Sequence, residues 1–388
     1  MKTAGPESLL PLKNRFLRAR EVAYLDTAAE GLPPDTAAEA LARYFRDKSL
    51  GTPGRPALYS IEREVVEKAA LLLGTAAENV TLLAHASDGL NVLSGSIRWQ
   101  AGDEVLINDL EFPSNVLPWL RLRELGVKLR IVRSESGVVP YEQFASAIHS
   151  RTRLVSVSAV SYKTGTRIPY LAQLARDAHT AGAVFAVDAT QALGRIPVSL
   201  EGVDYLVASS YKWLLGTHGL AVVYFAPSLR DRLRPRAVGW YSVEHDATEE
   251  RFREFRFKPG AARLATGMPN FPAMYALKEG LELLNTIGIE RLEAGLGPLV
   301  RQLREGFERI GVPLLTPAAP ELASGIVSFT HPQAETVREA LEQAGVVVWG
   351  GDGRIRASVH LYNDAGDVAR LLEALAPILK QRSPGSSH

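Results

Sequence analysis

The amino-acid sequence predicts an α/β fold with a large domain built on a mainly parallel sheet and a smaller C-terminal α/β domain. Two observations lead to this prediction. Between about residues 101 and 225, short apolar runs alternate with amphipathic stretches, whereas after about Gly280 longer helical stretches flank a few short strands. The first pattern is typical of strands that alternate with helices, which implies parallel strands covered by helices.

The apolar runs in the first part are rich in Val, Ile and Leu and mostly lack polar alternation, as strands buried on both faces do. The predicted strands are 104–108, 129–132, 154–157, 184–187, 205–208 and 221–225, and the predicted helices between them include 117–125, 141–148 and 171–181. Gly126 and Gly182 follow two of these helices, where a left-handed cap favours glycine. Ligands bind beyond the carboxyl ends of the strands in such sheets.

In the C-terminal part, the predicted helices are 291–309, 334–344 and 367–380, and the predicted strands are 326–329, 346–348 and 354–357. We therefore assign residues 24–275 to the large domain and residues 276–381 to the small domain. Residues 1–23 are expected to pack onto the small domain, because chain ends in such proteins often associate. Residues 382–388 are rich in Ser, Pro and Gly and are predicted to be a disordered tail.

The composition excludes several classes of function. The chain has 388 residues, a formal net charge of +1 and no cysteine. The absence of cysteine rules out disulfides, thiolate metal sites and thiol nucleophiles, and we expect no metal. The small net charge gives no reason to expect a nucleic-acid or membrane partner. Met1 to Pro6 lack the apolar run of a signal peptide and no stretch is long enough to cross a bilayer, so the expected location is the cytoplasm.

Two predicted strands end in side chains that suit a ligand site. Asp188 ends an apolar run, where an unpaired carboxylate is costly. It could pair with a cation of a ligand, or it could cap the following segment, and the residue alone does not decide. Lys212 follows the strand 205–208 in the segment Ser209-Ser210-Tyr211-Lys212. Burial would make its amine nucleophilic, whereas a surface lysine is the ordinary alternative.

Two further segments carry candidate binding residues. Ser87 opens a helical pattern, and its hydroxyl together with the free N–H groups of the first turn would form an anion site; the alternative is a simple N-cap serine. Arg356 lies in the segment Arg354-Ile355-Arg356 of the small domain. Its guanidinium could hold a carboxylate in a bidentate manner, or it could form a surface ion pair.

Together these segments resemble the class V aminotransferase family of fold-type I pyridoxal-phosphate (PLP) enzymes, which includes cysteine desulfurases, selenocysteine lyases and proteins like isopenicillin epimerase. The resemblance runs from Tyr24-Leu-Asp-Thr-Ala-Ala to Arg356-Ala-Ser-Val-His-Leu-Tyr-Asn, over nearly the whole chain. The order Asp-x-x-Gln followed by Ser-x-x-Lys is its most specific feature. The fold expected from the resemblance is therefore that of a fold-type I PLP-dependent transferase.

The resemblance implies a role for each candidate residue. Lys212 would carry PLP as a Schiff base and then move the α-proton of the substrate, and Asp188 would bond the pyridine nitrogen. Gln191 would bond the phenolic oxygen, and Phe112 would stack on the ring. The remaining residues implied by the resemblance are Ala86, Ser87, Ser209 and Tyr211 for the phosphate, and Arg356 for the α-carboxylate of the substrate.

The sequence departs from the desulfurase pattern at three places. The stretch before Arg354 is short and holds no cysteine, which rules out a persulfide mechanism. Tyr162 replaces an asparagine near the substrate, which suggests a different substrate or reaction. In the segment Thr266-Gly267-Met268, a methionine replaces the threonine that reaches the phosphate of the neighbouring subunit. The backbone of Gly267, or Thr266, is then the expected contact in a homodimer with shared sites.

The resemblance implies a PLP enzyme acting on an L-amino acid, with β-elimination or C–S (C–Se) cleavage as the first choice of reaction. Transamination and epimerisation are the alternatives within the same family. A PLP-binding protein without catalysis is the alternative of another class, and the presence of both Lys212 and Asp188 weighs against it.

Overall fold

The computed structural model describes residues 10–245 and 249–381, so the predicted tail at 382–388 lies outside the described residues, as do residues 1–9. The α-helices are α1 Leu10–Lys13, α2 Leu17–Glu21, α3 Thr36–Ser49, α4 Arg55–Leu73, α5 Ala86–Ser96, α6 Leu117–Arg121, α7 Tyr141–Ala147, α8 Leu171–Thr180, α9 Phe271–Ile287, α10 Ile289–Ile310, α11 Ala334–Gln343 and α12 Ala365–Gln381. The strands are β1 Ala23–Tyr24, β2 Val80–Leu83, β3 Glu104–Asn108, β4 Lys128–Val132, β5 Thr152–Ser158, β6 Val184–Asp188, β7 Tyr205–Ser209, β8 Ala221–Phe225, β9 Ile326–Thr330, β10 Val346–Val347, β11 Trp349–Gly351 and β12 Arg354–Ser358.

The central sheet has seven strands in the order β2-β8-β7-β6-β5-β3-β4. Strands β4, β3, β5, β6 and β7 are parallel, whereas β8 pairs antiparallel with β7 and with β2. The prediction of an α/β fold with a mainly parallel sheet is confirmed. Every residue of β3, β6, β7 and β8 is buried, which explains why these strands read as continuous apolar runs.

One predicted strand does not have the predicted environment. Strand β4 is at the edge of the sheet, and of its five residues only Val132 is buried. The prediction that 129–132 is buried on both faces is therefore wrong, because at this edge of the sheet the faces of the strand are only partly covered by other elements. Its outer positions carry Lys128 and Arg130, and charged side chains of this kind protect an exposed edge from pairing with another chain.

The predicted helices differ from the structure mainly at their ends. The predicted helix 117–125 is only α6 followed by a 3₁₀ turn, Leu122–Leu125, so the regular α-helix is shorter than predicted. Gly126 and Gly182 both have a φ of 78°, as expected for left-handed caps. The predicted strand 346–348 is β10, after which the chain turns into β11. Strands β1, β2 and β11 and helices α1, α2, α3, α4 and α9 were not predicted.

The beginning of the chain lies against its C-terminal part. Strand β1 pairs in parallel with β10, and Lys13 binds Asp364 and Asp367 at 2.9 and 2.7 Å. Strands β11, β12 and β9 form a separate antiparallel sheet. The predicted boundary between residues 275 and 276 falls inside α9, and the division into domains stays a prediction. Within residues 10–245 and 249–381, no helix is both long and apolar enough to cross a bilayer.

Candidate active site

A cavity of about 170 Å³ lies at the carboxyl edge of the central sheet, where β5, β6 and β7 end. The strand register places Ser158 beside Asp188 and Asp188 beside Val207, because parallel neighbours end at the same edge. Nine of the eleven predicted site residues line this cavity: Ala86, Ser87, Phe112, Tyr162, Asp188, Gln191, Ser209, Tyr211 and Lys212. The two that do not line it are Arg356 and Gly267.

Lys212 is not a surface lysine, since only 8% of it is exposed. Burial, with a further contribution from the positive charge of Arg356, lowers the pKa of Lys212 to about 8. A larger fraction of the amine is therefore neutral, and nucleophilic, near neutral pH than in an ordinary lysine. The side-chain nitrogen lies 5.5 Å from the ring centre of Phe112 and 5.4 Å from that of Tyr211.

Asp188 ends β6 as a buried carboxylate. Its Oδ1 accepts a hydrogen bond of 2.9 Å from the backbone N–H of Thr190. This bond is the capping interaction considered from the sequence, and it occupies one of the two carboxylate oxygens, although no helix follows. Burial raises the pKa of Asp188, and the hydrogen bonds from Thr190 and the charge of Lys212 oppose that rise. Asp188 is the one acidic side chain among the described residues that line the cavity, and a cation placed there would keep it ionised.

The start of α5 forms an anion-binding end of the cavity. The first intrahelical N–H donors of this helix are those of Asp88 and Gly89, which leaves the N–H groups of Ala86 and Ser87 ahead of them. The N-cap is His85, whose Nδ1 accepts from Asp88 N at 2.8 Å. The interpretation of Ser87 as a simple N-cap is therefore wrong, because Ser87 is already inside the helix. Its hydroxyl lies 2.6 Å from that of Ser114.

Aromatic rings form the wall of the cavity near Lys212. The rings of Phe112 and Tyr162 meet edge to face, with centres 5.0 Å apart. Tyr211 stacks on His218 at 4.4 Å, and His218 in turn pairs with Glu30 at 3.2 Å. A flat ring bound between these groups would find apolar faces on one side and polar groups at its edges.

Gln191 is held on both sides of its amide. Trp213 Nε1 donates to its Oε1 at 2.7 Å, and its own Nε2 donates to the carbonyl of Ala28 at 2.9 Å. Each amide nitrogen carries two hydrogens, so one donor remains for a ligand oxygen. Ser209 N donates to Thr190 Oγ1 at 3.2 Å, which ties the end of β7 to the turn after β6.

Arg356 lies next to the cavity and contacts its lining. Its Nη1 donates to the backbone carbonyl of Tyr162 at 3.0 Å, and only 3% of the residue is exposed. Its partner carboxylate is Asp26, 3.8 Å away. The surface ion pair considered for Arg356 is therefore wrong, because both members are largely buried. Burial lowers the pKa of Arg356 to about 10 and raises that of Asp26 to about 7.

Gly267 is not brought to the cavity by its own chain. It is exposed, and a side-chain carbon added there would meet nothing within 4 Å. Its predicted role in cofactor binding therefore requires a second copy of the chain, and it stays a prediction.

Several residues near the site were not predicted, among them the cavity-lining residues Ser114, Ser158 and Thr190 and the largely buried carboxylates of Asp26 and Glu111. Asp26 belongs to the segment Tyr24-Leu-Asp-Thr, where the family resemblance begins, but the sequence alone does not show that its carboxylate faces Arg356. Glu111 directly precedes Phe112 and is buried; its oxygens accept from Ser158 N, Ser158 Oγ and Asn115 Nδ2. Burial raises the pKa of Glu111 to about 7. In the sequence, the only sign that Glu111 belongs to the site was its position among the polar residues that follow β3.

The residues present suit pyridoxal phosphate. Schiff-base attachment needs an amine that is partly neutral, which Lys212 supplies. The pyridinium nitrogen needs a buried carboxylate, and Asp188 is the unneutralised acid in the cavity. The phosphate needs N–H and hydroxyl donors at a helix N-terminus, and the start of α5 with Ser87 and Ser114 supplies them.

Comparisons with known proteins agree with this site. The family described as "Aminotransferase class-V" matches residues 23–371. A probable cysteine desulfurase of Methanothermobacter thermautotrophicus is 29% identical, over 92% of this chain and 95% of that protein. The apo structure of a cysteine desulfurase from Thermococcus onnurineus superposes with a TM-score of 0.88 at 25% identity, covering 98% of this chain and 99% of the other.

A third similar structure carries the cofactor itself. The lyase C-DES, solved with glycine covalently linked to its PLP cofactor, has a TM-score of 0.85 at 21% identity, covering 94% of this chain and 98% of the other. At this identity the likeness concerns the fold, which is that of fold-type I PLP enzymes. The family match extends over nearly the whole chain. The protein therefore belongs to the class V aminotransferase family and is a PLP-dependent enzyme.

Proposed function

We propose that the protein binds PLP through Lys212 and cleaves an L-amino acid by β-elimination, releasing a sulfur or selenium leaving group. The observation that carries the proposal is the buried, partly neutral amine of Lys212 in one cavity with the buried carboxylate of Asp188, in a chain without cysteine. No protein-bound persulfide takes part.

The residues of the cavity divide the work of this reaction. When bound, PLP serves as the electron sink for the bond that breaks at Cα. Lys212 Nζ accepts the α-proton, because its lowered pKa makes it a base near neutral pH. Asp188 would hold a proton at the pyridine nitrogen of bound PLP, and Gln191 would donate its remaining amide hydrogen to the phenolic oxygen. Arg356 anchors the α-carboxylate and so orients the Cα–H bond.

The missing cysteine supports elimination over desulfuration. A persulfide desulfurase needs a thiolate to attack the sulfur of the substrate, and this chain has no cysteine. Elimination needs only a base for the α-proton and a leaving group at Cβ. The same fold occurs in a cystine C–S lyase solved with its reaction product cysteine persulfide, at a TM-score of 0.84 and 21% identity.

Transamination and epimerisation are the alternatives on the same residues, since both also begin with removal of the α-proton. They differ in where the proton returns: to the cofactor side in transamination, and to the opposite face of Cα in epimerisation. A non-catalytic PLP-binding protein would not need both Lys212 and Asp188 in one cavity. The location in the cytoplasm stays a prediction from the sequence.

Amino acids with a good leaving group at Cβ should give a keto acid and ammonia. With S-alkyl-L-cysteine, L-cystine or L-selenocysteine, the bond from Cβ to sulfur or selenium breaks. Each turnover should consume one water and release one pyruvate, one ammonium and the leaving group, which is a thiol, cysteine persulfide or hydrogen selenide, respectively. The measurement is mass analysis of the products, with and without pyruvate or 2-oxoglutarate, together with a test for sulfur bound to protein. The Lys212→Ala variant is the negative control. Efficient amino transfer to a keto acid without elimination would contradict the proposal in favour of an aminotransferase.

The capture of PLP by the apoprotein should depend on pH through Lys212. Only the neutral amine attacks the aldehyde, and the pKa of Lys212 is lowered from 10.5 to about 8. The rate of capture, followed by visible absorption, should therefore rise with pH to a midpoint near 8. Arg356→Met removes a positive charge that disfavours the ammonium form, so its midpoint should move to higher pH.

The control for this shift is Arg338→Met, which removes a partly exposed arginine of α11 and should leave the midpoint in place. A wild-type midpoint in the ordinary lysine range would show that the amine is not desolvated in solution.

We also propose a homodimer with shared active sites. Gly267 is exposed and does not line the cavity of its own chain. Its neighbour Met268 is 47% exposed, and the large apolar side chain of Trp240 is 59% exposed. Burial of such a surface would suit an obligate interface. Sedimentation of the PLP-loaded protein should give twice the mass of one chain, and a fully active monomer would refute the shared site.

A further inference from the structure

Strand β12 carries two buried arginines, Arg354 and Arg356, two residues apart. Only 3% of each residue is exposed. Alternate residues of a strand point to the same face, and both guanidinium groups approach the indole of Trp349, at 4.6 Å for Arg354 and 5.2 Å for Arg356. The strand thus places two positive charges side by side under cover of an aromatic ring.

The two arginines differ in their partners. Arg356 donates to the carbonyl of Tyr162 and faces Asp26. Within the described parts of the chain, Arg354 has two buried atoms without a hydrogen-bond partner, Nε and Nη2, whereas Arg356 has one, Nε. The carboxylate nearest to Arg354 belongs to Asp352, which is 3.8 Å away and 77% exposed.

A buried guanidinium without an acceptor is costly. Stacking on Trp349 and on Tyr162 stabilises the charge of Arg354 but gives its N–H groups nothing to bind. The neighbouring charge of Arg356 adds repulsion, since Arg354 contributes to the lowered pKa of Arg356. An anion placed beside Arg354 would satisfy the N–H groups and relieve the repulsion together.

Arg354 does not itself line the cofactor cavity, but it contacts a residue that does. Its guanidinium lies 5.0 Å from the ring centre of Tyr162, and Tyr162 lines the cofactor cavity. Positions two apart on a strand are separated by about 6.6 Å. This spacing suits the two acidic groups at the opposite ends of a small amino acid.

We propose that Arg354 binds a second acidic group, on the side chain of the substrate, while Arg356 binds the α-carboxylate. The enzyme then selects amino acids whose side chain ends in a carboxylate or another oxyanion. This inference rests on the proposed function only in taking an amino acid as the substrate of this cavity. It is independent of whether elimination, transamination or epimerisation follows.

The test compares binding of amino acids that differ only in side-chain charge. Suitable pairs are S-carboxymethyl- and S-carbamoylmethyl-L-cysteine, L-glutamate and L-glutamine, and L-aspartate and L-asparagine. Dissociation constants for the PLP-loaded enzyme are measured by calorimetry and by the change in visible absorption. The wild type should bind the acidic member at least about tenfold more tightly in one or more pairs, as expected for a charge-assisted contact worth roughly 1.4 kcal/mol or more.

Variants then assign the preference to one side chain. Arg354→Met keeps the apolar stem and removes the charge, so the ratio of the two dissociation constants should fall close to one. Arg356→Met should weaken both members of each pair. Arg338→Met, the matched loss of a partly exposed charge on the adjacent helix α11, should keep the wild-type ratio.

Three outcomes would overturn the proposal. If the wild type binds the acidic and neutral amino acids of each pair equally well, Arg354 does not contact the side chain of the substrate. This result is expected if a carboxylate of a second copy of the chain pairs with Arg354. If Arg354→Met weakens both members equally, Arg354 supports the α-carboxylate only. If Arg354→Met keeps the wild-type preference, another group reads the charge. The ratio of dissociation constants for the wild type can be measured without any variant. The measurement is of binding, so it does not depend on whether the enzyme catalyses β-elimination.

Discussion

The burial of Lys212 and Asp188 at one edge of the sheet is the constraint on which the rest of the site depends. Burial acts on the two groups in opposite directions, lowering the pKa of the amine and raising that of the carboxylate. A ligand that joins an aldehyde to a protonated aromatic nitrogen relieves both, because it takes up the neutral amine and keeps the carboxylate ionised.

Segments from both ends of the chain hold Lys212 in place. The N–H of Gly31 donates to the carbonyl of Tyr211 at 2.8 Å, and a side-chain carbon at Gly31 would lie 1.9 Å from the carbonyl oxygen of Lys212. On the other side, His360 Nε2 donates to the carbonyl of Trp213 at 3.0 Å. Burial lowers the pKa of His360 to about 3, so its ring stays neutral. The site therefore needs both chain ends folded onto the large sheet.

Much of the fold and of the cavity could be predicted because the signals are local. Buried strands such as β6 and β7 read as apolar runs, and Asp188 and Lys212 stand where those runs end. The environment of β4 could not be predicted in this way, since the apolar residues of an edge strand resemble those of a central one. Asp26 and Arg354 were missed for another reason. Their significance lies in contacts between segments far apart in sequence, such as Asp26 with Arg356 and Arg354 with Tyr162.

Reduction of the PLP-loaded protein with borohydride, followed by peptide mapping, tests the central claim most directly. Reduction makes the bond between cofactor and lysine permanent, so the modified residue is identified by mass. We predict a single phosphopyridoxyl group on Lys212 and none on the Lys212→Ala variant. Attachment at another lysine, or no attachment after PLP has been added to the wild type, would contradict it.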